Sequence, residues 1–507
     1  MQVGTPSKGN IYVLLDLKSF FSKFKKWLFA SITALCIWLW LPDLWSQKLP
    51  SLMSEELLRD KIRSHIFPPA FSLPYERKFA EFGKKLFVDS RLSVNEKVSC
   101  ATCHNPGKSF TDGRPTAMGV ALTERNTPTL VNIAMNSWFF SDGRADSLTA
   151  QALGPWLDPK EQGLSMEQLA AKIVTFHLNT YTALYGPIEN GVLKAIQEGG
   201  DHSITPSGPS VNLLPPSLRI YGIATMGTFS ALDHILKLAG QGARSPQDQF
   251  AMLSAGLNAS DDSKPLVTEQ DLLTPRHDNR QLDAAIRAVI TNSAGAVEAY
   301  ERSILSTQSP FDHFAERLTR TKTIQEAFDA SFSQDEFEGL NLFMGKGNCD
   351  LCHSGPNFTD SQFHNIGLPW NSDIDYKKLP AGRAQGVLAI KDHPFGCKTP
   401  HVVKARADNR LSNLEQCAEV EFLKLDGLES MNAFKTPTLR NLKLTAPYMH
   451  DGRFESLEEV INHYSSLPDK PAIGHREESL QELNLTKKEK NQLIKFLLSL
   501  ESKIESL

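Results

Sequence analysis

Net charge is the first thing this chain has little of. Against 58 acidic residues stand 54 lysines and arginines, leaving −4 over 507 residues with no long basic run. That excludes the basic footprint on which nucleic-acid binding depends. Cysteine is also scarce, with seven in the whole chain. Four of them fall in two copies of one pattern, Cys100-Ala101-Thr102-Cys103-His104 and Cys349-Asp350-Leu351-Cys352-His353. A zinc site would need further Cys or His ligands at zinc spacing beside each copy, and a thioredoxin-like dithiol carries no obligatory histidine. CxxCH is instead the attachment signature of a c-type haem, in which the thiols add to the vinyl groups and the imidazole becomes the proximal iron ligand. Two copies predict two covalent haems.

The other cysteines follow from the compartment this implies. Lys23, Lys25 and Lys26 precede a charge-free apolar run, residues 27–42, that Asp43 ends. Positive residues before an apolar segment direct export. The run is longer than most signal cores and short for a full span, and no small-x-small cleavage site follows it. Residues 1–50 therefore read as a signal sequence or a membrane anchor, with the remainder in the periplasm, soluble after cleavage or anchored to the inner membrane. Cys36 lies in that run. Outside the reducing cytosol, Cys397 and Cys417 are either two buried thiols or a disulfide closing a loop of about twenty residues, worth ~3 kcal/mol.

The rest of the chain reads as mostly α. Phe79, Phe82, Leu86 and Phe87 recur at helical spacing in the stretch leading to the first CxxCH; residues 281–307 and 336–343 repeat the pattern. Residues 105–126 are polar and broken by Pro106 and Pro115, hence a loop. Residues 191–275 read as a largely irregular insertion. Thr127-Pro128-Thr129-Leu130 recurs as Thr436-Pro437-Thr438-Leu439, each Pro is followed fourteen residues later by Asp-Gly-Arg, and Ser-Leu stands five residues beyond each Asp. Three motifs in one register predict two cytochrome c-like haem domains related by internal duplication. The expected division is 51–310 for the first and 311–507 for the second, whose longer gap between CxxCH and TPTL locates another insertion at about 373–432.

With these motifs in place, the chain resembles the bacterial di-haem cytochrome c peroxidase family, and more closely its MauG-like branch. The likeness rests on Gly83-Lys84-Lys85-Leu86-Phe87, both CxxCH copies, Asn126 to Leu130, Asp142-Gly143-Arg144-Ala145, Phe434 to Asn441, and Pro447-Tyr448-Met449-His450-Asp451-Gly452. It implies one haem that meets peroxide and a second that takes up electrons. Family members that need reductive activation carry a distal His after the first CxxCH; none stands between His104 and Asn126 here. An iron with His104 alone keeps an open sixth position. Met118 is a competing sulfur donor in that loop. By resemblance Glu161 is the general acid and base, Gln151 orients peroxide, and Tyr464, fourteen residues after His450, is the distal ligand of the second haem, with His463 as its neighbouring competitor. The resemblance also implies a calcium ion between the haems, held by Asn126 and the carbonyls of Thr445 and Pro447. It departs at Ser141, where the family has a Trp between the haems; Trp138 is the nearest replacement.

The expected function is therefore a di-haem c-type peroxidase that reduces hydrogen peroxide to water with electrons from a small redox protein, a cytochrome c or a cupredoxin, with a homodimer as one assembly open to it. Two alternatives stay open. One is a MauG-like oxidase that uses high-valent haem to oxidise a protein or organic substrate. The other is a non-enzymatic di-haem electron carrier.

Overall fold

Small residues on one long helix let the first half pack closely. The helix Arg280–Glu301 carries Ala294, Ala296 and Ala299 among Ile286, Ile290 and Val297, all buried. It packs against the helices Arg77–Val88, Leu148–Leu157, Met166–Tyr185 and Pro400–Asp408. Gly83 shows how near these backbones come, since a Cβ there would lie 1.9 Å from the carbonyl oxygen of Ala296. Any side chain at 83 would push the two helices apart.

The computed structural model describes residues 55–65, 74–199, 280–368, 382–391, 393–411, 420, 423, 427–467 and 474–507. The apolar run at 27–42, Cys36 and Cys417 lie outside the described residues, as do most of the first insertion and the outer parts of the second. Among the described residues no helix is long and apolar enough to cross a membrane. The architecture is mostly α. Its only strands among those residues are two short antiparallel pairs, Leu305–Ser306 with Ile504–Glu505 and Phe363–His364 with Phe434–Lys435.

The second half is built on the helices Gln334–Met344 and Lys487–Leu498. Here Gly339 permits the contact, its Cβ position lying 2.1 Å from the carbonyl oxygen of Gln492. Phe311, Phe343, Phe358 and Phe496 meet edge to face or tilted around them. Each such ring stabilises by about 1.5–3 kcal/mol through burial.

The repeat seen in sequence is a repeat in geometry. Thr129 Oγ1 donates to the carbonyl of Ser109 at 2.6 Å, and Thr438 Oγ1 to that of Asn357 at 2.7 Å. Asn132 and Asn441 both take the left-handed conformation, with φ 58° and 61°. Asp142 pairs with Arg144, and Asp451 with Arg453. Ser147 and Ser456 then cap the helices Leu148–Leu157 and Leu457–Ser466 by accepting from Ala150 N and Glu459 N.

Packing and chain order part company at three places. The helix Glu55–Arg63 lies against the second half, where Lys61 pairs with Asp350 at 2.7 Å and Arg59 donates to the carbonyls of Leu318 and Thr321. The described part of the second insertion lies against the first half: Phe395 and Val402 join its core, and Arg406 reaches Glu298 at 3.6 Å. Residues 191–199, expected to be irregular, complete the helix Asn190–Gly199, whose buried Val192 and Ile196 face the helix Met166–Tyr185.

Candidate functional site

Each CxxCH loop holds its histidine in one tautomer. At the first, the Ser99–Thr102 capping box starts a single helical turn, Cys100–Cys103, and the chain then turns back so that His104 Nδ1 lies 3.1 Å from the carbonyl oxygen of Phe110. At the second, His353 Nδ1 lies 3.0 Å from the carbonyl of Phe358. A carbonyl only accepts, so in both rings Nδ1 carries the proton and Nε2 keeps the lone pair that binds metal. Burial lowers both imidazoles, which keeps them neutral and fit to ligate. All four thiols are free, and burial pushes Cys100, Cys103 and Cys349 up to about 12.

A cavity opens beside the first loop, lined by Cys100, Cys103, His104, Gln151, Pro155 and Glu161 among others. Gln151 projects from the helix Leu148–Leu157, is 8% exposed, and its Oε1 has no hydrogen-bond partner. Glu161 sits on the turn that follows. Asp158 accepts from the backbone N–H groups of Lys160, Glu161 and Gly163, while the loop after the haem motif pairs with it through Val120 N to Glu161 O at 2.9 Å. Burial, with the Asp158 carboxylate nearby, pushes Glu161 up to about 7 against the pull of Arg144. Such a carboxyl exchanges protons readily near neutral pH.

Four neighbours of this cavity escaped the sequence reading. A Cβ on Gly119 would lie 2.4 Å from the carbonyl oxygen of Lys160 and 2.6 Å from Glu161 Cα, so the absent side chain is what lets the loop seat Glu161. Gln162 donates to Cys100 Sγ at 3.6 Å and leaves its Oε1 unpartnered. Glu301 is 3% exposed with Oε2 unpartnered. Pro155 stands thirteen residues after Asp142, as Tyr464 stands thirteen after Asp451, so the repeat register was the available signal. Met118 is not among the lining residues and is 39% exposed.

At the second loop Tyr464 is half-buried, and desolvation together with Cys349 and Cys352 raises its hydroxyl. Its neighbour His463 donates through Nε2 to the carbonyl of Ile366 at 3.0 Å, which occupies the nitrogen. The ligand atoms of Cys352, Asp360 and His364 lie within 4.8 Å of one another. Both ring nitrogens of His364 meet carboxylates, Asp360 at 2.8 Å and Glu477 at 2.9 Å, which makes this a structural ion pair rather than a free metal cluster.

Between the loops, the Ser141 carbonyl accepts from Lys435 N at 2.7 Å. Trp138 is buried under the guanidinium of Arg383, which lies 4.4 Å from its ring and 3.9 Å from that of Phe363. Asn126 donates its N–H to the His450 carbonyl at 3.0 Å and Nδ2 to that of Arg114 at 2.8 Å. Cys397 is disulfide-bonded, and its N–H donates to the Asp146 carboxylate at 3.0 and 3.1 Å.

A free thiol pair and an imidazole with an available Nε2 atom fit c-type haem at both loops, and at the first the orphaned acceptors of Gln151 and Gln162 line a cavity beside it. Cys100, Cys103 and His104 would hold one, and Cys349, Cys352 and His353 the other. Residues 77–200 match the family described as di-haem cytochrome c peroxidase. The chain is 26% identical to the methylamine utilization protein MauG of Methylorubrum extorquens over 423 residues, 83% of this chain and 77% of that protein. It is 25% identical to the MauG protein of Methylophilus methylotrophus over 464 residues, 90% of each. A third relative, the cytochrome c551 peroxidase of Nitrosomonas europaea, is 24% identical over 390 residues, 76% of this chain and 73% of that protein. With two haem-binding loops in a duplicated frame and relatives aligned over most of its length, the chain is similar to the di-haem cytochrome c peroxidases and, among them, to MauG.

Proposed function

We propose that this protein reduces hydrogen peroxide to water at the first cavity, with electrons delivered through the second haem by a small redox protein. The observation that carries this reading is Glu161, a carboxyl pushed up to about 7, on one cavity with His104 and the unpartnered Oε1 of Gln151. When bound there, haem supplies an iron centre that takes an oxygen ligand and exchanges electrons. The Glu161 carboxylate accepts the proton from one peroxide oxygen and returns it to the other, so that the leaving oxygen departs as water. Gln151 Oε1 accepts a hydrogen bond from the peroxide and orients it. The balance is one peroxide, two electrons and two protons giving two waters.

Tyr464 favours a second reading. As a phenolate ligand it stabilises ferric iron and lowers the potential. A haem so held is a poor acceptor for incoming electrons and suits a MauG-like oxidation of a protein or organic substrate. An exported, periplasmic location and a calcium ion at Asn126, Thr445 and Pro447 complete the proposal.

Stopped-flow mixing of the as-isolated ferric protein with peroxide, with and without reduced cytochrome c, tests both readings. Fast haem spectral change followed by oxidation of cytochrome c supports the peroxidase. A fast change that persists while cytochrome c stays reduced supports the oxidase. No spectral change overturns both and leaves an electron carrier.

A further inference from the structure

Glu298 and Glu301 lie one turn apart at the end of the helix Arg280–Glu301, and only one of them has cations. Glu298 accepts from Arg302 at 2.9 and 3.1 Å and from Thr149 N at 3.0 Å, and Arg406 approaches it at 3.6 Å. These contacts hold Glu298 ionised. Glu301 has none of them. It is buried, lies on the first cavity with Cys100 and Glu161, and leaves Oε2 without a partner. Burial and the charge of Glu298 oppose its ionisation, and so does its place at the negative end of the helix dipole. A buried carboxyl that is neutral carries an O–H that must find an acceptor. Among the described residues Oε2 has no partner, while Gln151 and Gln162 present unpartnered oxygens on the same cavity. Three unsatisfied polar groups around one space mark a place for bound oxygen atoms.

We propose that Glu301 is a second acid of the first cavity, a neutral carboxyl whose O–H donates to an oxygen held there: water at rest and, on the peroxide reading above, the peroxide in turnover. The two acids then divide the work. Glu161 changes its protonation state near neutral pH, and Glu301 keeps its proton and holds the oxygen in position.

Infrared difference spectroscopy of the ferric holoprotein at pH 8 tests this, because Glu161 is largely ionised there and Glu301 is not. A protonated-carboxyl C=O band is expected that vanishes in Glu301→Gln and shifts when azide binds the first haem. The azide shift in the wild-type protein needs no variant, so the test survives poor folding of the mutant. Absence of the band at pH 8 overturns the proposal, and so does a band that azide leaves unmoved. In turnover, Glu301→Leu is expected to slow peroxide consumption about tenfold more than Glu301→Gln, which keeps a donor. A protein that ignores peroxide yet shows the azide-sensitive band would retire the peroxidase reading and leave the assignment of Glu301 standing.

Discussion

Thirteen residues after Asp142 the first half carries Pro155; thirteen residues after Asp451 the second carries Tyr464. Both sit in the capped helix that follows the Asp-Gly-Arg turn, and both face their own haem loop. Pro offers no donor atom and its ring simply lines the cavity, whereas Tyr brings an oxygen to the sulfurs of Cys349 and Cys352. A second pair of matched positions diverges in the same way. Val131 closes the first half with an apolar side chain, while Arg440 closes the second with a fully buried ion pair to Asp312 at 2.8 and 2.9 Å. Arg440 also donates to the carbonyl of His65, tying in the helix Glu55–Arg63. Duplication has kept the turns and caps that fix the backbone and has spent its variation on single side chains, so that matched positions present different chemistry to the two haem loops.

The largest break in this comparison is expected from Glu161→Gln, since the corresponding turn of the second half has no task for an acid. Peroxide consumption should fall by about two to four orders of magnitude while the second haem's spectrum stays unchanged. The same carboxyl sets a pH profile. It must be ionised to accept a proton, so the rate should rise through pH 7, fall about tenfold per unit below it, and flatten in the variant. Its linkage to stability runs the other way: the folded state keeps a proton that the unfolded chain loses above its ordinary carboxyl range, so this term declines as pH rises towards about 7.

Arg440→Leu comes next. It leaves the buried Asp312 carboxylate without its guanidinium, and urea denaturation should show a loss of about 3–5 kcal/mol. Val131→Ala in the first half removes methyl groups but no charge partner and should cost less, about 1–3 kcal/mol. Equal losses would show that the buried ion pair does not distinguish the halves. Gly119→Ala follows. The new Cβ displaces Lys160 and Glu161 by a fraction of an ångström to an ångström, for which a drop in peroxide rate of up to about 100-fold is expected at unchanged haem content.

The frame of this molecule was readable from residues because it rests on local signals. The CxxCH copies, the TPTL and Asp-Gly-Arg repeats and the caps at Ser147 and Ser456 each act within a few positions of themselves. Helical spacing likewise found the segments around Phe82 and Phe343. It overran the end of the long helix, which stops at Glu301 instead of continuing to 307, because Leu305 and Ser306 pair with Ile504 and Glu505 some 200 residues away. The same limit hid Glu301 and Gln162. Glu301 reaches the cavity from a distant segment, and Gln162, though next to Glu161, looks in the chain like an ordinary turn residue. Pro155 was hidden for another reason: a residue matters there by what it does not carry, and only the second half's Tyr464 makes that visible.

Tyr464→Phe sharpens the comparison at the smallest cost to the rest of the molecule. The ring and its packing stay, so stability should hardly change; only the oxygen leaves. Electron paramagnetic resonance should lose the low-spin signal of the second haem, since the phenolate oxygen is the ligand removed. The first cavity does not involve Tyr464, so its initial reaction with peroxide should keep its rate, and any effect should appear later, in how long the oxidised protein persists. Pro155→Tyr is the converse exchange and should close the first iron to peroxide. If Tyr464→Phe leaves the low-spin signal intact, the ligand of the second haem lies elsewhere, and the contrast between Pro155 and Tyr464 is one of packing alone.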